Sequence, residues 1–437
     1  MMKTYEETMH WIHELLAFGM KPGLIRMEMM LDELGHPERK RDAIHIAGTN
    51  GKGSTLTYLR CMLEEAGYKV GTFTSPYIEQ FNERISINGS PIDDDDLVRV
   101  ANKVRPVVEK VAASQYGTPT EFEVITVIAF EYFANFEKPD LVILETGLGG
   151  RFDSTNVIQP ILTGITNIGY DHTAILGDTL PEIAIEKSGI MKQGIPMVTG
   201  VEQAEALTVV EEQAEKKNVL LYKLGEDYQI LQHQSLRDGE RFSLRTPNTV
   251  YDEVTIGMSG LHQVKNAAMA ITMLENLMEH HPYKVTESQM YQGLMKATWP
   301  GRFEKVSERP LIILDGAHNQ EGVQSLNQTL ISHYPNHTKR LIFSAMKDKP
   351  IDKMLSVLYD SVDHITFTSF DFPRASSARS LYDHSRFPEK DVIEDYREAI
   401  RIERNLMGEN DILIITGSLY FISAVREYLK NENCETF

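Results

Sequence analysis

Side chains capable of chemistry recur in this chain at one kind of place, directly after a short apolar run. The first run, Ala43 to Ala47, ends in Gly48-Thr49-Asn50-Gly51-Lys52-Gly53-Ser54, and a helical pattern begins near Lys52. Glycines at 48, 51 and 53 let the backbone turn sharply with successive N–H groups aimed at one point, and Lys52 adds a cation beside it. A helix N-terminus at the same spot supplies amides and the positive end of the dipole, so the stretch reads as a phosphate cradle. It departs from the general G-x-x-x-x-G-K-[ST] pattern. Ile46 stands in the first glycine's position, Gly53 follows Lys52, and the hydroxyl comes one place later at Ser54.

Other runs end in chemistry too. Tyr68 to Phe73 leads to Thr74-Ser75-Pro76, and open α/β sheets bind ligands beyond the carboxyl ends of their strands, although a serine before proline is also an ordinary turn residue. Leu141 to Leu144 ends in Glu145-Thr146-Gly147-Leu148-Gly149-Gly150-Arg151. A carboxylate there is costly unless it meets a cation or donors. Ile161 to Thr166 delivers Asn167-Ile168-Gly169-Tyr170-Asp171-His172. Ser75, Glu145 and His172 are therefore candidates to converge on one cation near the phosphates, with Asp171 orienting the imidazole. Taken alone, Lys187 in the helical stretch Glu182 to Met191 reads as an exposed helix lysine. Farther on, Gly260, His262 and Asn266 lie near the start of a helix, and Leu311 to Leu314 ends in Asp315-Gly316-Ala317-His318-Asn319.

Strand ends of this kind need parallel sheets with helical crossovers, and the periodicity supplies them. Helical spacing covers Thr4 to Phe18, Arg26 to Leu34, Leu97 to Val111, Glu121 to Phe136, Glu205 to Lys216 and Leu261 to Met278. Phe81 to Ile87 reads as a return to strand. From Tyr228 to Met258 the period changes to two around a turn at Asp238-Gly239, a small antiparallel annex. Trp299-Pro300-Gly301 breaks the chain, and a second alternation of strands and helices follows, with strands at Leu311 to Leu314, Arg340 to Phe343, His364 to Phe367 and Ile412 to Ile415. The expected fold is thus α/β: residues 1–298 a P-loop nucleotide-binding domain with the annex, residues 299–437 a Rossmann-like domain.

Composition sets limits. With 437 residues, two domains are expected, and the net charge of −19 repels nucleic acid and anionic membranes. The two cysteines, Cys61 and Cys434, lie too far apart in sequence to form a disulfide framework, which suits a reducing cytoplasm. No apolar run reaches the roughly 18 residues of a membrane-crossing helix, and no signal-peptide pattern is present. The acidic run Asp93 to Asp96 reads as the solvated first turn of a helix.

Taken together, G-T-N-G-K-G-S at 48–54, T-S-P at 74–76, L-E-T-G-L-G-G-R-F-D-S-T-N at 144–156, Y-D-H at 170–172, E-K-S-G-I at 186–190, P-G-R at 300–302 and D-G-A-H-N at 315–319 resemble folylpolyglutamate synthases and the related dihydrofolate synthases of the Mur ligase superfamily. The resemblance implies an ATP-dependent ligase that joins L-glutamate to a folate carboxylate through an acyl phosphate. It implies ATP on Gly48, Thr49, Asn50, Gly51, Lys52, Gly53 and Ser54, with Asn266, Arg302 and Asp315, and magnesium on Ser75, Glu145 and His172. Lys187 would be able to carry a carbamate, which overrides its plain reading, and a monovalent cation is a further expected cofactor. Lys52, Lys187, Asp315 and His318 are the expected catalytic group. Phe81, Arg84, Phe152 and Ser154 are taken as the folate wall, and the chain is expected to act as a monomer. Two alternatives stand beside this: another Mur-family amino-acid ligase, for which the phosphate loop begins too early to leave room for a UDP-binding domain, and a P-loop nucleotide-binding module without catalysis.

Overall fold

The computed structural model describes residues 1–19, 21 and 23–434. The first sheet is built from β1 (Asp42–Ala47), β2 (Val70–Phe73), β3 (Ile85–Ile87), β4 (Ser90–Pro91), β5 (Leu141–Glu145), β6 (Leu162–Ile165), β7 (Met197–Thr199) and β8 (Leu221–Lys223). Its eight strands run in the order β4-β3-β2-β5-β1-β6-β7-β8. All neighbours pair in parallel except at the β3 and β4 edge. β1 is central, with Ile46 opposite Glu145 of β5 and Ala47 opposite Ile165 of β6. Ala43 to Ala47 are all buried, as a strand covered on both faces must be.

Next come β9 (Gln229–Ser235), β10 (Glu240–Arg245) and β11 (Val250–Ile256), a three-stranded sheet in the order β11-β10-β9. Asp238 and Gly239 lie between the first two, Gly239 with φ +101°. The last sheet contains β12 (Glu304–Glu308), β13 (Leu311–Asp315), β14 (Thr338–Phe343), β15 (His364–Ser369), β16 (Lys390–Asp395) and β17 (Asp411–Thr416), in the order β12-β13-β17-β14-β15-β16. Alternation gives this sheet two apolar faces. Ile313, Leu341, Phe343, Ile365, Ile412 and Ile414 enter one core, and Ile312, Leu314, Ile342, Leu413 and Ile415 enter the other. Helices therefore cover both sides.

The described residues form two compact units, Met1–Leu231 with Ser243–Val254 and Lys265–Ala297, and Gln232–Phe242 with Thr255–Val264 and Thr298–Phe437. Several elements differ from the periodicity. Phe81–Arg84 is a 3-10 turn before β3, because Gln80 and Glu83 form a capping box there. The helix starting at Glu121 passes at Tyr132 into a π-helical turn ending at Glu137. β12 and β16 carry no apolar alternation: both are sheet edges, where charged side chains guard the open ladder. Asp93 caps the helix Asp94–Ala112 by accepting from the Asp96 amide, and Asp96 is buried rather than solvated. Cys61 is buried and unpaired; the side chain of Cys434 lies outside the described residues. Among the described residues no helix is long and apolar enough to cross a membrane.

Candidate active site

The phosphate loop joins β1 to the helix Lys52–Glu65, whose N-cap, Gly51, has φ +83°. A Cβ at Gly51 would also run into the Asn266 carboxamide, so glycine is required on both counts. Two of the loop's amides are braced: Thr49 N donates to the Asn167 carbonyl at 3.0 Å and Asn50 N to Asn167 Oδ1 at 2.7 Å. Thr166 Oγ1 donates to the Asn50 carbonyl at 2.6 Å, and Gly169 N donates to Thr49 Oγ1 at 2.9 Å. Gly51 to Ser54 precede the first helical bond, from Thr55 N to the Gly51 carbonyl at 2.9 Å, so their amides have no carbonyl partner within the helix. The sequence reading did not select Thr166 and Asn167; the end of β6 just before Tyr170-Asp171-His172 is the signal that marks them.

Two lysines meet on this loop. Lys52 Nζ donates to the carbonyls of Gly48 at 3.1 Å and Thr49 at 3.3 Å, and lies 3.6 Å from Glu145 Oε1. Lys187 Nζ donates to the Gly48 carbonyl at 2.8 Å. Lys187 is buried, not exposed as its helical context suggests. Burial, and then the charge of Lys52, push its pKa down to about 7, with Asp171 and Asp153 pulling the other way. The helix that carries it, Leu180–Ser188, is bound to the loop after β5, since Arg151 N donates to the Glu186 carbonyl at 2.8 Å.

Asp153 holds that loop. Its carboxylate accepts from Leu148 N at 2.8 Å, Thr155 N at 3.0 Å and Thr155 Oγ1 at 2.5 Å, and Thr155 Oγ1 meets His45 Nε2 at 2.7 Å. Burial pushes the Asp153 pKa up, and drives that of His45 down to about 3, so the imidazole is neutral. His172 is half-exposed, with Nε2 4.0 Å from Asp171 Oδ1. Ser75 Oγ accepts from Arg84 Nη1 at 3.3 Å. Of the folate-wall residues, Phe81 and Arg84 are buried, the guanidinium lying over the rings of Phe81 and Tyr77. Phe81 fills the core instead of lining a surface. Ser154 is buried, whereas Phe152 is exposed beneath the Arg151 guanidinium.

In the second unit, β13 delivers Asp315 beside Thr416 of β17. Asp315 Oδ2 accepts from Phe303 N and Oδ1 from Ala317 N, both at 2.9 Å. Burial raises its pKa against the opposing pull of Arg302, these amides and His318. His318 Nδ1 pairs with the Gly316 carbonyl at 2.8 Å, which makes Nε2 the acceptor nitrogen of the neutral ring. Asn319 caps the next helix, Gln320–His333, by accepting from Gly322 N at 2.8 Å. Beyond β14 and β15 a cleft of about 450 Å³ is lined by Lys347, Ser369, Phe370, Ser376, Ser377 and Glu394, residues that no sequence motif had marked.

This arrangement, a phosphate loop contacted by two lysines in one unit and a strand-end Asp315 and His318 in the other, has relatives. Residues 46–274 match the Mur ligase middle domain and residues 301–419 the Mur ligase glutamate ligase domain. A dihydrofolate synthase/folylpolyglutamate synthase of Bacillus subtilis is 49% identical over 98% of this chain and 100% of its own length. The chain belongs to the folylpolyglutamate synthase family of the Mur ligase superfamily. A folylpolyglutamate synthase of Lacticaseibacillus casei is 33% identical, over 97% of this chain and 98% of the relative. In three dimensions the chain is similar to Mycobacterium tuberculosis folylpolyglutamate synthase complexed with ADP, at a TM-score of 0.91 and 28% identity over 97% of this chain and 99% of that one. A folylpolyglutamate synthase complex with AMPPCP and folate gives 0.84 and 31%, over 98% of this chain and 100% of that chain.

Family membership makes the ion a matter of donor chemistry. Among the described residues no three His, Cys, Asp or Glu side chains gather at metal-binding spacing. Magnesium keeps several waters and takes one or two carboxylates plus substrate phosphates, so a site for it here would need a carboxylate beside the phosphate loop. Glu145, buried beside the loop, is the carboxylate of that kind.

Proposed function

We propose that this chain adds L-glutamate to the terminal carboxylate of a reduced folate or folylpolyglutamate at the expense of ATP, and that it also makes dihydrofolate from dihydropteroate. The observation that carries this reading is the convergence of Lys52 and Lys187 on the Gly48 carbonyl, with Glu145 against Lys52. A loop built for phosphate, two amines and an acid in contact form an electrostatic site for phosphoryl transfer rather than a passive nucleotide pocket.

The chemistry follows. A carboxylate is a poor electrophile, so its oxygen first takes the γ-phosphoryl group of ATP, giving an acyl phosphate and ADP. The amine of glutamate, having lost its proton, attacks the acyl carbon and expels phosphate. Lys52 and the amides of Gly51 to Ser54 offset charge that develops on the transferring group. Asn266, Arg302 and Asp315 are assigned to the nucleotide and His318 to the reacting carboxylate, residues 1–298 being the nucleotide-binding domain and 299–437 the ligase domain. Magnesium, when bound, supplies further positive charge; Ser75, Glu145 and His172 would hold it. The neutral amine of Lys187 is also nucleophilic enough to take up carbon dioxide as a carbamate, and a monovalent cation belongs to the same reading. Exposed Phe152 is assigned to folate, with Arg84 and Ser154, whereas Phe81, buried in the core, is not. The acidic surface suits a cytoplasmic monomer that binds no nucleic acid.

The test is ADP release by the purified chain with magnesium, ATP, glutamate and either tetrahydrofolate or dihydropteroate. Release that needs both glutamate and the pterin substrate is expected. Nucleotide binding without glutamate-dependent turnover would leave a non-catalytic module, and turnover on a nucleotide-sugar peptide instead would make this another Mur-family ligase.

A further inference from the structure

Arg302 sits in a turn whose backbone is held on every side. Its neighbours Gly301 and Phe303 both have left-handed φ, +68° and +47°, a region that bulky residues such as phenylalanine rarely adopt. Gly301 N donates to Glu304 Oε2 at 2.8 Å, and the Gly301 carbonyl accepts from Gly316 N at 2.7 Å. Arg302 N donates to the Trp299 carbonyl at 3.3 Å, and Phe303 N to Asp315 Oδ2 at 2.9 Å. Phe303 itself is anchored in the core of the last sheet.

One of these supports reaches outside the turn. Arg426, on the helix Leu419–Cys434, places Nε 3.0 Å from both oxygens of Glu304 and Nη2 2.9 Å from Oε1. A forked contact fixes the carboxylate in plane as a single ammonium could not. At 16% and 22% exposure the two side chains lie between the exposed and the fully buried case, so the pair's own contribution to stability is modest. What the pair does add is geometry. The oxygen that receives the Gly301 amide belongs to a carboxylate whose orientation is set by the last helix.

We propose that Glu304 and Arg426 are positioning residues for nucleotide binding, holding the turn at Gly301 so that Arg302 leaves the backbone in one direction. This rests on the assignment of Arg302 to the nucleotide. The test is calorimetric titration of the full-length chain with ADP, for the wild type, Arg302→Ala, Glu304→Gln, Arg426→Gln and Arg426→Lys, with thermal unfolding of each. Glu304→Gln and Arg426→Gln should weaken ADP about tenfold while unfolding within a few degrees of the wild type. Arg426→Lys, which keeps the charge but loses the fork, should recover part of the loss and guards against a misfolded glutamine variant. In the Arg302→Ala background, Glu304→Gln should cost nothing more, because the pair acts through Arg302. Wild-type ADP affinity in Glu304→Gln and Arg426→Gln would overturn the inference, and so would an equal loss in the Arg302→Ala background. Wild-type affinity in Arg302→Ala would remove its premise, while glutamate-dependent ADP release judges the ligase reading separately.

Discussion

Lys187 Nζ and the Gly48 carbonyl lie 2.8 Å apart although 139 residues separate them in the chain. The contact buries an amine under the phosphate loop, beside the like charge of Lys52, and its pKa falls to about 7 for those two reasons in that order. Near neutral pH the loop therefore rests on an amine that is charged only part of the time.

That has a pH signature. The folded pKa lies below the unfolded value, so between about pH 7 and 10.5 the unfolded chain binds more protons and stability rises with pH. Below pH 7 the whole cost of burying the charge is present. Lys187→Met should remove this slope, so that its stability relative to the wild type changes by about 2 kcal/mol from pH 7 to 9. Turnover should also fall by at least about 100-fold. Denaturant unfolding at several pH values checks the first part, and a pH-independent difference between the two proteins would contradict it.

Lys52→Ala should abolish ligation and leave the fold intact, since the amine touches loop carbonyls and Glu145 instead of the core. Turnover near the wild-type rate would refute its role. The same variant deletes a repulsive neighbour, so the Lys187 pKa should rise and the stability slope should start at higher pH.

His318→Ala should cost far more activity than stability. The ring is half-buried and bonded to the Gly316 carbonyl next to it, so its loss should move the unfolding free energy by only about 1 kcal/mol. Glutamate-dependent ADP release should drop by at least about 100-fold. A variant that unfolds readily but turns over normally would reverse the assignment.

Glu240 offers an acid-sensitive joint. Its buried carboxylate meets His333 Nε2 at 2.6 Å and His233 Nε2 at 2.7 Å and accepts from Gly260 N at 2.5 Å. Burial raises its pKa, yet His333, the Gly260 amide and His233 outweigh that and hold it below the usual value. The stabilisation is therefore present above the unfolded pKa and lost as pH falls through the folded one. Glu240→Leu should lose about 3 kcal/mol at neutral pH and less in acid, below the usual carboxylate range. Unfolding curves at the two pH values measure it, and an equal loss at both would rule out the carboxylate as the cause.

Much of this molecule is written locally. Ala43 to Ala47 is apolar apart from His45 because β1 is covered on both faces, and Gly51 must be glycine because its φ is +83°, so strand, loop and helix could be read from adjacent residues. The same holds for Glu145, Asp315 and His318, which sit at ends of runs whose period is short. The edges β12 and β16 escaped because their charged, partly or fully exposed residues carry no alternation.

By itself, then, the sequence determined which residues end each strand and which turn needs glycine, since φ preferences and burial periodicity act between near neighbours. Tertiary structure alone decided that Lys187 is buried on Gly48, that Phe81 fills the core, that Asn167 braces the loop, and that Gln232–Phe242 groups with the second unit. Desolvation and hydrogen-bond partnership depend on what distant segments bring to the same place, and no local pattern encodes that.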